Sequence, residues 1–224
     1  KEVMNYQITY DMEEYDHELD QMLFHLPLAG SSFKKVYYEG VKQRAVSKFV
    51  PAEDIVIPYT ATDLESCERI THVVKMMGNE LRKKQIGGMY RDVDISPSSV
   101  DTNDAQDKYN ELDGLTETQN AEDIILLEFH CDLDIPGFED KNVTTGEATG
   151  IKLPYVITVD EGTNKVLSIY RNYREGDPLR KKIQYFVHYK FLPGLGFYGF
   201  GLIHMLGGLS RTATSALRQL IDAG

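Results

Sequence analysis

Tryptophan is absent from the 224 residues, cysteine occurs twice, and Lys+Arg number only 24 against 35 Asp+Glu. Each shortage excludes something. Cys67 and Cys131 stand far apart with no short-spaced partner, so neither a disulfide framework nor a Cys-based zinc cluster is encoded, and both read as reduced structural thiols. A formal net charge of -11 argues against a protein that coats DNA through clustered cations, because phosphate binding by counterion release needs local excesses of Lys and Arg. No apolar run approaches the roughly 18 residues of a membrane-spanning helix, and the start of the chain has no signal-peptide design. The expectation is a soluble chain of intracellular origin with no membrane partner. Because it opens at Lys1 without a Met and stops at Gly224 just after an amphipathic pattern, a piece of a longer subunit is expected.

What is present is an ordinary folding composition, 42% hydrophobic, enriched in amphipathic rings with 14 Tyr and nine Phe. Asp11 to His25 has helical spacing, ended by Pro27 and Gly30. Ser32 to Tyr38 and Arg44 to Val50 read as a hairpin around Glu39-Gly40, and the run Asp54 to Tyr59 as a further strand; residues 1–60 make one segment. In residues 61–91, Thr62-Asp63-Leu64-Glu65 has the capping-box form and predicts a short helix from Leu64 to Arg69. Ile70 to Val74 is β-branched and fits a strand, before a helix from Glu80 to Ile86 capped by Asn79; one long helix broken at Gly78 is the competing reading. Residues 92–123 hold ten acids against the single cation Lys108 and little aliphatic core, which predicts an exposed acidic insertion with at most a short helix around Ala105 to Leu112.

Residues 124–192 read as antiparallel β structure. Ile124 to Leu133 is one strand, Leu153 to Val159 and Lys165 to Tyr173 a hairpin, and Lys181 to Phe191 an alternating strand with Ile183, Tyr185, Val187, Tyr189 and Phe191 on one face. These four strands are expected to form one sheet. Residues 193–224 are a glycine-aromatic stretch followed by a helix whose Leu209, Ala213, Ala216, Leu217 and Leu220 form a stripe. The fold class is therefore α+β: antiparallel hairpins, flanking helices and a C-terminal helix.

Sites for chemistry are scarce. Gly194-Leu-Gly196-Phe-Tyr-Gly199 matches a dinucleotide-binding spacing, but the preceding strands read as hairpins and not as parallel βαβ units, and the two rings would crowd a pyrophosphate. Glycines that permit an irregular strand-to-helix connection are the better reading, so no cofactor is expected. His130 and Asp132 can share a strand face, which is too few ligands for a metal, and His72, His188 and His204 sit on apolar elements where structural imidazoles are common. Neither a nucleophile elbow nor a phosphate loop occurs, and no enzyme is expected. Short basic runs at Lys34-Lys35, Arg82-Lys83-Lys84 and Arg180-Lys181-Lys182 fit solvated element ends; a symmetric oligomer could assemble them by repetition.

The segments Phe49-Val-Pro-Ala-Glu-Asp-Ile-Val-Ile57, Ala61-Thr-Asp-Leu64 and Arg69-Ile-Thr-His72, leading to Asn79-Glu-Leu-Arg82, resemble the portal, or head-to-tail connector, proteins of tailed bacteriophages. The stretch from Phe186 through Pro193-Gly-Leu-Gly-Phe-Tyr-Gly-Phe-Gly201 to His204, with the helix that follows, is similar to the podovirus-type branch. The resemblance implies a homo-oligomeric ring, usually dodecameric, at one capsid vertex of the virion. Double-stranded DNA would pass through it, and the large terminase subunit, capsid and scaffolding proteins and a tail adaptor would be its partners. By position it implies wing material in 1–60, a segment leading to the stem in 61–91, clip-like hairpins in 124–192 and a stem-type helix in 193–224. Ala213, Ser215 and Ala216 would then let neighbouring helices approach, and Arg211 and Arg218 would be candidates for DNA-channel or subunit contacts. The alternatives are a monomeric virion adaptor or scaffold and, further off, a nucleotide-binding enzyme using Gly194, Gly196 and Gly199.

Overall fold

A computed structural model describes residues 1–40, 42–95, 123–141 and 145–223. The chain is α+β and divides into two units, Lys1–Cys67 with Gln184–Gly224, and Glu68–Ile183. No helix among the described residues is long and apolar enough to cross a membrane.

In the first unit, α1 (Glu2–Tyr6) continues through a π-helical turn at Gln7–Asp11, and α2 spans Tyr15–Ala29. The expected helix thus lies about a turn later than its apolar spacing indicated. Pro27 sits inside the last turn and does not stop it; its missing N–H leaves the Leu23 carbonyl, one turn earlier, without its helical partner. Gly30 closes the helix in the left-handed region at φ 86°, donating its N–H to Leu26 O at 2.9 Å. The hairpin forms as β1 (Ser31–Glu39) and β2 (Arg44–Pro51), whereas the expected strand after it shrinks to β3 (Ile55–Val56).

Ser31 to Lys34 are all buried, and strand alternation explains how both faces are covered. Lys34 lies over the Tyr15 ring of α2, and its β2 partner Phe49 packs on His25 of α2 and donates its N–H to Glu18. Ser31 and Phe33 face the other way, toward the glycine-aromatic stretch.

The second unit holds β4 (Arg69–Met77), α3 (Gly78–Ile86), β5 (Asp123–Leu133), β6 (Leu153–Asp160) and β7 (Val166–Arg171), the strands running antiparallel in the order β4-β5-β6-β7. Met76, Leu81, Ile124, Leu126 and Leu167 form its core, with Tyr90 packed against them. That burial, assisted by Glu128, pushes the Tyr90 phenol up to about 12.

Three expectations need correction. No helix forms from Leu64 to Arg69: the Thr62 hydroxyl donates to the Asp63 carboxylate at 3.3 Å, that carboxylate accepts the Ser66 N–H at 2.7 Å to close a turn, and Arg69 already belongs to β4. The strand alternative for Ile70 to Val74 is the observed one; α3 then starts one residue before Asn79 with no side-chain cap. The four expected β-strands do not share a sheet. Only Phe186–Lys190 of the last one is regular (β8), and it pairs antiparallel with β1 in the three-stranded sheet β2-β1-β8. The short helix expected around Ala105 to Leu112 lies outside the described residues.

Candidate assembly surface and the junction that launches it

β8 buries the face opposite to the one its alternation advertised. Phe186 and His188 are covered, while Val187 and Tyr189 are 44% and 37% exposed. The reason is that α2 packs over β1 and β2, leaving the same face of the edge strand β8 open. On the covered face the rings of Phe33, His188 and Phe197 stack in series, with centroids 4.4 Å and 4.6 Å apart. Ser31 Oγ lies 3.1 Å from His188 Nε2 and accepts the Gly199 N–H at 2.8 Å. Nothing in the spacing of single segments marks this cluster, because its members come from β1, β8 and the following loop.

The loop closes by paired hydrogen bonds between Leu192 and Phe200, while Phe191 N–H donates to Gly30 O at 3.0 Å. Its glycines serve close backbone approach. A Cβ on Gly194 would stand 2.3 Å from Tyr198 O, one on Gly199 2.5 Å from Gly30 O, and one on Gly201 2.2 Å from Leu28 O; Gly196 alone faces open space. Gly194 therefore lets the loop fold onto itself, while Gly199 and Gly201 hold it against the end of α2.

Burial, with Lys190 nearby, lowers the His188 imidazole to about 4 from its ordinary 6.5. Because the unfolded chain then binds a proton more readily than the folded one, this histidine's contribution to stability is complete above about pH 6.5. It is lost as pH falls toward 4. After allowance for a partly wetted ring, the loss is about 2 kcal/mol. Urea titrations at pH 7 and pH 4.5 should show the wild type losing more stability on acidification than His188→Leu; equal losses would contradict the assignment.

From this junction α4 (Leu202–Ala223) departs. Gly201 N–H donates to His204 Nδ1 at 3.2 Å across the first turn. Its 22 residues extend about 33 Å, and none is buried, every one from Ile203 to Ala223 being exposed. Yet the helix is strongly sided. At about 100° per residue, Leu202, Leu206, Leu209, Ala213, Leu217 and Leu220 fall within one narrow sector, with Ala216 at its edge. Leu209 and Leu220 are 69% and 70% exposed, so this is an apolar stripe without cover along most of its length.

Ala213 and Ala216 thus belong to the stripe, where small side chains permit close approach. Ser215 does not; it turns to the polar side. Arg211 and Arg218, two turns apart, lie on the face opposite the stripe, both exposed and with no ion pair among the described residues. The two candidate roles for this helix therefore fall on separate faces.

Elsewhere, no cluster of three or more His, Cys, Asp or Glu side chains that could hold a metal occurs among the described residues. His130 Nε2 instead meets the Glu128 carboxylate at 2.6 Å, a same-face neighbour overlooked in favour of Asp132. Lys34, from the first basic run, is buried under α2, and burial lowers its ammonium pKa. No protein-family model matches the chain, and no curated protein matches its sequence.

Proposed function

We propose that the chain is part of a portal subunit: a ring-shaped channel at a capsid vertex, built from copies of one subunit, through which double-stranded DNA is packaged and released. The supporting observation is α4, a 22-residue amphipathic helix with an uncovered apolar stripe. A helix of that kind gains its stability from packing, and in a ring each copy offers its stripe to the next, so repetition covers every one without an additional partner. The glycine-aromatic junction supplies the second support, since it is the segment that most closely resembles the podovirus-type branch. An acid-rich subunit also suits a conduit: a wall that binds phosphate weakly lets a duplex slide.

Negative-stain imaging of the full-length subunit tests this directly. Rings with a central hole are expected, and a single monomeric species would favour an adaptor or scaffold instead. The face away from the stripe carries Arg211 and Arg218, the two arginines of α4, and they are the candidates for meeting the DNA backbone. Arg211→Glu with Arg218→Glu is expected to leave ring formation intact and to reduce DNA packaging in an in vitro packaging assay. Loss of rings in that variant would assign the two arginines to subunit pairing.

A further inference from the structure

In the second unit, the chain leaving β5 and the chain leaving β7 fold beside the start of β6 and leave two adjoining cavities, of about 310 and 420 Å³, that share Lys141, Leu153 and Arg180. The wall between them is well tied. The Arg180 guanidinium pairs with the Asp140 carboxylate, itself largely buried, and Thr149 Oγ1 donates to the same carboxylate at 2.7 Å. Arg180 adopts φ +46°, a left-handed conformation that costs a non-glycine residue energy and that persists only where surrounding bonds enforce it. The bonds are present: Arg180 N–H donates to Asp177 O at 3.1 Å, and the Asp177 carboxylate accepts the N–H groups of Leu179 and Lys181 at 3.0 and 3.1 Å.

The charges of the cleft divide into satisfied and unsatisfied. Asp140 is neutralised by Arg180, Glu175 by Arg171, and the Glu139 carboxylate accepts the Gly137 N–H. Lys141 lies close enough to Glu139 to help hold that carboxylate below its ordinary pKa, while Lys152 stands exposed at the smaller cavity with no ion pair among the described residues. Next to them stand Ile151 and Leu179, 57% and 75% exposed. The Lys152 ammonium, with Lys141 alongside it and uncovered aliphatic side chains next to both, on a strained and well-bonded frame, is the complement of an apolar side chain adjacent to a carboxylate.

We propose that this cleft is a docking site for a peptide segment of a protein partner that presents an apolar side chain next to an Asp or Glu. Charge complementarity selects the carboxylate and the aliphatic wall selects its neighbour. A nucleic acid fits less well. Its affinity comes from runs of cations along a backbone, whereas the smaller cavity offers Lys141, Lys152 and the Asp140-paired Arg180, set among Ile151, Leu153, Pro154, Pro178 and Leu179; the rings of Phe138 and Tyr173 line only the larger cavity. The site belongs to the second unit alone and does not depend on ring formation.

The test is an NMR titration of the chain with acetyl-Leu-Asp-Leu-Glu-amide to millimolar concentration. Saturable amide shifts are expected at Ile151, Lys152 and Leu179. In Lys141→Glu with Lys152→Glu, two exposed positions that do not hold the fold, affinity should fall by about tenfold or more. Leu179→Ala, which keeps every charge, should weaken binding several-fold. No shift at these amides, or shifts unchanged in the lysine variant, overturns the proposal. So does equal binding of the neutral acetyl-Leu-Ser-Leu-Gln-amide, or a thymidine dinucleotide that saturates the same amides more tightly, which would assign the cleft to phosphodiesters.

Discussion

Replacing Gly201 by Ala should destabilise the first unit by about 3 kcal/mol or more, among the largest effects of any single methyl group in this chain. The added Cβ would stand 2.2 Å from Leu28 O and 2.5 Å from Gly30 N, and neither atom is free to retreat. Gly30 N is engaged in closing α2 through Leu26 O, and Gly30 O accepts from Phe191 N, so moving the α2 terminus opens the junction on both sides. Gly201 does not lie in the left-handed region, so the penalty is steric and not conformational. Gly207→Ala is the control. Its Cβ would meet nothing within 4 Å, and Ala in a helix interior is favoured over Gly by about 1 kcal/mol, so this variant should be more stable than the wild type. With no tryptophan in the chain, tyrosine fluorescence or far-ultraviolet circular dichroism in a urea titration reads both. If Gly201→Ala melts with the wild type, the close packing of the junction is wrong.

That junction also marks where sequence reading stops. β5 and β6 were legible because apolar runs bounded by turn residues declare themselves locally, and α4 because its apolar positions repeat with a helical period over six turns. β8 was not. Its alternation is real, but a period of two says only that two faces differ, and which one is buried depends on α2, which ends at Ala29. Pairing of β8 with β1 is likewise a contact across more than 150 residues, invisible to any window. The failed helix at Leu64 to Arg69 has a different cause: the capping-box pattern requires only two residues, and the Asp63 carboxylate draws both the Thr62 hydroxyl and the Ser66 N–H into a turn. For the candidate site, the stripe was readable, whereas the stack of Phe33, His188 and Phe197 was not, its members being assembled by tertiary structure.

The stripe on α4 makes the second large prediction. Leu206→Asp with Leu217→Asp should abolish ring assembly of the full-length subunit while leaving the fold of the single chain unchanged. The separation of the two effects follows from exposure: both leucines are more than half exposed in the single chain, so a carboxylate there costs its fold little. In a ring, where each stripe packs on the next copy, the same positions are covered. Each buried leucine contributes about 1.5–3 kcal/mol, and an unpaired carboxylate adds a desolvation penalty of its own. Two such positions weaken each subunit contact by at least about 100-fold, and closure of a ring compounds the loss over every contact. Ser215→Asp, on the opposite side of the helix, provides the matched control and should assemble as the wild type does. Sedimentation velocity separates the species, and circular dichroism verifies that each variant is folded. Rings that survive both aspartates would remove α4 from the interface. Rings lost equally with Ser215→Asp would mean that the whole circumference of the helix is packed, and the arginine face would then no longer be free for DNA.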